Sequence, residues 1–315
     1  MTGGAGFIGS NLVSALLERN QRVRIFDDFS TGRRENLFTI PSDVDVVEGD
    51  VRDAASVREA LRDVDIVYHE AAIPSVARSV KDPRSSHMVN ATGTLNIMIA
   101  ARDEGVERVV CASSSSVYGN ADQLPVAETA PTRPISPYGV SKLAGENYLT
   151  AFHASYGVKT IALRYFNVFG PRQDPTSEYA AVVPRFVVAT LGRQPAHMYG
   201  DGEQARDFTF VGDVVAANLL AADAGEDAWG RAFNIACGGR HTVNELLETI
   251  QRVAGVEPVP PEHDPPRPSE IRASQADIAA AREVLGYEPQ FSFEEGLRLT
   301  VEWYSEQRAR APGRA

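Results

Sequence analysis

Cysteine is almost missing from this sequence. Only Cys111 and Cys237 occur in 315 residues, each inside an apolar run that reads as a buried strand, which excludes a disulfide framework and points to a reducing, cytoplasmic setting. Also missing are an apolar stretch of about 18 residues and a charged leader followed by an apolar h-region, so neither a membrane span nor a secretion signal is expected. There is no cationic surplus either: 31 Lys and Arg against 42 Asp and Glu leave a formal net charge of −11 and a pI near 5.1. Phosphate backbones need clustered Lys and Arg, so nucleic acid is not an expected partner. An acidic chain still accommodates one small anion, because a local Arg pair or a helix N-terminus holds a diphosphate whatever the net charge. The histidines, His69, His87, His153, His197, His241 and His263, have no second His or Cys at ligand spacing, and no metal site is expected.

What the chain does contain is 43% hydrophobic residues, ample for a buried core. Short β-branched runs at 23–26, 44–48, 66–69, 108–112 and 160–165 alternate with helical patterns at 10–19, 54–61, 86–104 and 138–156. This alternation predicts an α/β fold with a doubly wound parallel sheet, since parallel strands need crossover helices on both faces. Beyond Gly170 longer loops richer in Pro and Gly replace that rhythm, so a smaller α/β substrate-binding lobe is expected, with 233–236 returning as a strand to the main sheet. The division is residues 1–167, rejoined by 207–238, against a lobe made of 168–206 and 239–315. The proline-rich segment 258–268 reads either as a stiff linker or as part of a site. The opening Met1-Thr2-Gly3 leaves no room for the apolar strand that should precede a glycine loop: either residues stand before Met1 or the sheet's first strand is lost.

Gly3-Gly4-Ala5-Gly6-Phe7-Ile8-Gly9 runs straight into a helical pattern. Gly3, Gly6 and Gly9 fall where the backbone must turn tightly, approach a pyrophosphate and pack a helix on a strand, while the helix opening at Phe7 and Ile8 offers N–H donors and a positive dipole end. Glycine-rich turns are common; what adds weight is Asp27, directly after the run 23–26, where a carboxylate accepts both adenosine ribose hydroxyls and repels a 2′-phosphate. NAD is therefore the expected cofactor and the sheet is expected to be of the Rossmann type. Arg33 and Arg34 keep NADP open, against a solvated charged turn. Asp50, followed by Val51, stands at a strand end where it holds either an adenine amino group or a helix N-terminus.

Tyr138 and Lys142 lie four apart, so on a helix they share a face. A free tyrosine ionises near pH ~10, and a phenolate acting near neutrality needs roughly 4 kcal/mol of preferential stabilisation. A neighbouring ammonium supplies part of that. Such a pair often marks no more than a half-buried helix face, but here the serines Ser113 to Ser116 follow the strand at 108–112, at the edge where open α/β sheets bind ligands.

Thr2 to Gly9, Ser113-Ser114-Ser115-Ser116-Val117-Tyr118-Gly119, Tyr138 to Lys142 and Leu163-Arg164-Tyr165-Phe166-Asn167 resemble, in order and spacing, the extended short-chain dehydrogenases of the NAD-dependent epimerase/dehydratase group, over essentially the whole chain. Within that group the chain is most similar to UDP-glucose and UDP-N-acetylglucosamine 4-epimerases. The resemblance implies tightly held NAD, a Tyr138 base, a Lys142 partner and a Ser114 that meets the sugar 4-hydroxyl. It implies further cofactor contacts at Ala71, Ala72, Asn90 and Tyr165. Dehydratases of the group carry an Asp-Glu pair where this chain has Ser115 and Ser116, because removing water from C5 and C6 needs an added acid and base. The serines favour epimerisation of C4.

For the substrate, the resemblance implies Asn167 on the diphosphate, Tyr199 in the stretch lining the uracil, Arg206 and Arg267 as a clamp, and Glu270 on the ribose. Ser75, Ser115, Ala181 and Val182 are implied as further contacts. Ser274 stands where epimerases strict for glucose and galactose carry a bulky Tyr, so room for a 2-N-acetyl group is expected. A UDP-glucuronate 4-epimerase is the alternative, with Arg78 or Arg185 facing a carboxylate. Two others are a sugar-alcohol dehydrogenase releasing NADH each turn and a non-catalytic NAD sensor, although the latter would be expected to lose Tyr138 or Lys142. The resemblance also implies a homodimer through the helices at 86–104 and 138–156, whose apolar residues include Met88, Leu95, Ile99, Leu143 and Leu149.

Overall fold

In the computed structural model, which describes residues 1–176, 180–266 and 272–310, the β-branched runs form a parallel sheet. Its strands are β1 (Arg24–Asp27), β2 (Asp45–Glu48), β3 (Ile66–His69), β4 (Arg108–Ser114), β5 (Lys159–Tyr165) and, farther along the chain, β10 (Arg231–Ile235). β2 pairs with β1, and β3, β4, β5 and β10 pair in that order, all parallel. Met1 and Thr2 lie between β1 and β3. Thr2 bridges Phe26 on one side and His69 on the other, with Thr2 N donating to Tyr68 O at 3.0 Å and Phe26 N to Met1 O at 2.8 Å. Two residues thus join the halves of the sheet.

Residues of β4 alternate between two cores, as the period of a strand requires. Val110 and Ala112 join one with Leu12 and Leu16 of α1 (Phe7–Glu18) and Val214 and Ala217 of α8 (Val211–Asp223). Val109 and Cys111 join the other with Val57 of α2 (Ala54–Ala60), Ile97 and Met98 of α5 (Gly93–Asp103), and Leu149 and Phe152 of α6 (Pro137–Tyr156). The result is a helix–sheet–helix sandwich of the Rossmann type, whose helices begin at the C-terminal edge of the strands.

The helix expected at 86–104 is interrupted. α3 (Val76–Lys81) and α4 (Pro83–His87) lead into a π-turn at Met88–Thr92 before α5. The wide turn carries Asn90, whose carboxamide accepts from Ile73 N at 2.8 Å and donates to Ser141 Oγ at 3.1 Å, tying the loop after β3 to α6. π-turns recur at functional sites for this kind of placement. α6 is well bounded: Ser136 Oγ accepts from Gly139 N, Pro137 fits the first turn, and Gly157 at φ +72° ends it.

Chain after β5 builds the second lobe around Phe169, Phe186, Phe208, Leu246 and Leu297. α7 (Val182–Leu191), α9 (Val243–Val253) and α10 (Phe293–Arg310) cover it. Two-stranded pairs complete it: β6 (Val168–Phe169) with β9 (Thr209–Phe210), β7 (His197–Tyr199) with β12 (Glu262–Asp264), and β8 (Ala205–Arg206) with β11 (His241–Thr242). Asp207, fully buried, fastens this lobe where β10 leaves the sheet: its carboxylate accepts from Cys237 N, Gly238 N and Ala276 N at 3.0–3.1 Å. No helix among the described residues is long and apolar enough to cross a membrane.

Candidate functional site

A cleft of about 880 Å³ opens at the C-terminal edge of the sheet. One end is the glycine loop. Gly3 has φ +67°, and a Cβ there would sit 2.6 Å from Ala71 N; on Gly9 it would sit 2.1 Å from Gly3 O. Only glycine permits this close approach of loop, helix and strand. The N-cap of α1 is Gly6, with no side chain capping it, so the first-turn N–H groups at Phe7 and Ile8 face the cleft unspent. Asp27 ends β1 with Oδ2 accepting from Ala5 N and Oδ1 from Phe29 N, both at 2.9 Å. Burial pushes its pKa up, and those two N–H groups counter the effect. A bare helix N-terminus with a carboxylate at the next strand end fits a dinucleotide.

The other end is polar and compact. Ser113 and Ser114 line it from the end of β4, Ser115 and Ser116 from the turn that follows, Tyr138 from α6, and Ser75, Asn167 and Ala181 from the loops. Ser114 Oγ accepts from Ser116 N and lies 3.1 Å from Ser116 Oγ. Tyr138 N donates to Ser79 Oγ of α3 at 3.0 Å. Lys142, one turn on, is buried and donates to Ala112 O of β4 at 2.8 Å. One further turn on, Glu146 receives Ser113 Oγ at 2.5 Å and both Nε and Nη2 of Arg164 from β5, at 2.9 and 2.8 Å. Arg164 Nη1 then reaches Tyr118 OH at 2.7 Å, which donates to Asn234 Oδ1 at 2.6 Å. α6, β4, β5 and β10 are therefore locked together directly behind the serines.

Neither Glu70 nor the pair Glu146 and Arg164 stood out as site residues in the sequence. The signals were a carboxylate placed directly after an apolar strand, and a guanidinium inside the buried strand β5, which demands a buried counterion. Glu70 lines the cleft wall, receives Tyr165 OH at 2.7 Å, and is pushed up to about 7 chiefly by burial. Tyr165 in turn receives Asn218 Nδ2 at 2.8 Å, so its hydroxyl serves Glu70. His69 lies between Thr2 Oγ1 and Thr94 Oγ1 and is driven by burial down to about 3, so it stays neutral.

Other expected positions divide. Val51, Ala71 and Ala72 line the cleft. Asp50 pairs with Arg52, which grips both its oxygens and holds its carboxyl below the usual range, and the cap of α2 is Asp53 rather than Asp50. Asn90 supports the cleft loop from behind. Lys142, Val182, Tyr199, Arg206 and Ser274 are not on the cleft wall; Ser274 Oγ receives Asn167 Nδ2 at 3.3 Å, and Tyr199 stacks under Arg185. Arg33 pairs with Asp174, and Arg34 lies over Phe29 with Glu48 as its partner. Arg267 and Glu270 lie outside the described residues.

The Glu70 carboxyl gives a testable pH dependence. Its folded pKa, about 7 against an ordinary 4.5, means that its contribution to stability is whole below about pH 4.5 and is lost as pH rises through 7. Glutamine keeps the acceptor for Tyr165 but does not titrate. Glu70→Gln is expected to match the parent near pH 4.5 and exceed it by about 2–3 kcal/mol above pH 7, discounted for water in the cleft. Urea unfolding of both proteins at equal cofactor content across this range measures the difference; a constant difference contradicts the assignment.

Comparison with known proteins agrees with this geometry. The chain is 40% identical over 309 residues to a UDP-glucose 4-epimerase of Mycolicibacterium smegmatis, covering 96% of this chain and 97% of that one. A solved UDP-glucose 4-epimerase of Thermotoga maritima with UDP-glucose superposes with a TM-score of 0.92 at 38% identity, over 98% of each chain. A UDP-N-acetylglucosamine 4-epimerase of Methanobrevibacter ruminantium in complex with UDP-N-acetylmuramic acid gives 0.92 at 40% identity, over 97% of each. Residues 1–236 match the NAD dependent epimerase/dehydratase family, and with relatives this similar along nearly its whole length the chain belongs to that family, with NAD as its cofactor.

Proposed function

We propose that the chain is a UDP-hexose 4-epimerase, inverting C4 of UDP-glucose and UDP-galactose and of their N-acetylated counterparts. The observation that carries this reading is the meeting of Ser114, Ser115, Ser116 and Tyr138 with the glycine loop and Asp27 in one cleft, with serine at 115 and 116. Serines supply neither the acid nor the base that loss of water from C5 and C6 needs, so the chemistry stops at C4. The names of the similar proteins support the same class.

In this reading Tyr138 takes the proton of the 4-hydroxyl, Ser114 orients that hydroxyl, and Lys142 stabilises the phenolate from one turn along α6. Bound NAD supplies a reversible hydride acceptor. The resulting 4-keto sugar turns about its bond to the diphosphate so that its other face would take back the hydride, and Tyr138 returns the proton to the 4-oxygen. We assign cofactor contacts to Gly3, Gly6, Phe7, Ile8, Gly9, Asp27, Val51, Ala71, Ala72 and Tyr165. Asn167, Arg206 and Arg267 are assigned to the diphosphate, Tyr199, Ala181 and Val182 to the uridine end, and Glu270 to its ribose. Residues 1–167 with 207–238 are the cofactor domain, and the remainder carries the nucleotide sugar. Arg78 on the cleft wall beside Ser75 supports UDP-glucuronate as a second substrate, its guanidinium facing a C6 carboxylate.

We also propose a cytoplasmic homodimer. The cysteines are unpaired, and Met88, Ile99 and Val140 stay 37–51% exposed on neighbouring turns of the α4–α5 and α6 segments, whereas Leu149 belongs to the core. Light scattering at micromolar concentration is expected to give twice the chain mass; a monomer overturns the dimer.

A panel of UDP-sugars incubated without added NAD, with products separated by chromatography, tests the activity itself. Tyr138→Phe is expected to lose more than about a hundredfold in kcat while keeping its NAD, because the hydroxyl moves the proton and does little for the cofactor. Retention of a tenth of the activity defeats the assignment. Ser274→Tyr is expected to suppress the N-acetylated pair more than the plain pair, since a phenol beside Asn167 fills space that an acetamido group needs. Equal loss on both pairs shows that Ser274 is not the gate.

A further inference from the structure

A short piece of the second lobe is fastened across the glycine-loop end of the cleft by bonds that none of the assigned roles uses. Pro171 O accepts from Asn11 Nδ2 of α1 at 3.1 Å. Arg172, held at φ +70°, sends Nη1 to Ser10 O at 2.6 Å and Ser14 Oγ at 3.0 Å, both on α1, and Nη2 to Thr39 Oγ1 at 3.4 Å. Asp174 then receives Arg33 Nη1 at 3.1 Å from the loop after β1. Arg33 is itself anchored, its N–H donating to Ala5 O within the glycine loop at 2.9 Å. On the lobe side, Gln173 O accepts from Tyr304 OH of α10 and Gln173 Nε2 donates to Val168 O at 3.2 Å.

Arg33, Arg172, Gln173 and Asp174 line the same cleft as Gly6, Gly9 and Asp27. We propose that residues 171–174, latched by Arg172 to α1 and by Asp174 to Arg33, form a clasp over the dinucleotide site that keeps NAD resident through many turnovers. An enzyme that exchanges its cofactor each turn needs this end of the cleft to open. One that returns its hydride does not, and a left-handed, non-glycine residue with three side-chain bonds to the cofactor domain is a costly feature to keep for packing alone. The purpose given to the clasp rests on the proposed epimerase reading, but its test uses no turnover, so the two fail separately.

The full-length protein is loaded with tritiated NAD, desalted and chased with excess unlabelled NAD, and release is followed with time. UDP affinity, measured by calorimetry, serves as the control. Arg172→Ala is expected to speed NAD release at least about tenfold, because several charge-assisted bonds are lost together. Asp174→Asn, at a part-exposed side chain whose loss leaves the core untouched, is expected to speed it about two- to fivefold. Raising salt from about 0.05 to about 1 M is expected to speed release in the parent but hardly in Asp174→Asn, since the screened pair is already gone. UDP affinity should move less than about twofold. Release at the parental rate in Asp174→Asn overturns the clasp, and that variant decides the matter if Arg172→Ala fails to fold. Equal weakening of NAD and UDP also overturns it, because the lobe would then be loosening as a whole.

Discussion

Glu146 and Arg164 form an ion pair that has left water almost entirely, each about 6% exposed. Removing two charges from water costs several kcal/mol per ion, and the attraction between them repays this only when geometry is good and the remaining lone pairs and protons are used. Here they are used: Glu146 takes two guanidinium bonds and the Ser113 hydroxyl, and Arg164 continues into Tyr118 and Asn234. The pair thereby fixes the rotation and height of α6 against β4 and β5. Lys142 and Tyr138, one and two turns back along the same helix face, inherit that placement, as does Ser114, the next residue after Ser113. A slip of one residue in β4 would turn Ser113 out of the pair and Ser114 out of the cleft, so the arrangement of the cleft side chains depends on this buried pair.

The supports of the cleft differ in kind. On one side α3 and the π-turn brace the loop after β3 through neutral bonds, Ser79 to Tyr138 and Asn90 to Ile73 and Ser141. Beneath it, Lys142 and His69 are charged or chargeable groups in the interior with Glu70 beside them on the cleft wall, and His69 is held neutral beside the ammonium. Around the buried Lys142 ammonium stand a neutral imidazole and a carboxyl whose pKa burial has raised, so neither offsets its charge as an ordinary carboxylate would.

Much of this was legible in the sequence because it is local. The glycine loop, Asp27, the strand alternation and the four-residue spacing of Tyr138 and Lys142 each occupy a few neighbouring positions, and the backbone rules that govern them are short-ranged. Strand boundaries fell within two residues for the same reason. What stayed hidden depends on partners far along the chain. Thr2 acts as a strand only because Phe26 and His69 flank it. Glu146 becomes a buried counterion only when Arg164 arrives 18 positions later. The short strands of the second lobe, two or three residues each, carry too little periodicity to register.

The second lobe also explains why substrate choice is harder to read than cofactor choice. Ser274 meets Asn167 because Asp207 gathers the N–H groups of Cys237, Gly238 and Ala276 into one carboxylate, drawing the chain around 274 onto β8, where Ser274 N donates to Ala205 O at 3.1 Å. That carboxylate is pushed up to about 6 by burial, and three backbone N–H groups counter the effect. A side chain at 274 therefore has little freedom to withdraw: its backbone is pinned on both sides. Volume added there must go toward Asn167 and the cleft. The cofactor half of the cleft is set by a loop that tolerates only glycine, whereas the position of Ser274 behind Asn167 is set by this long-range junction.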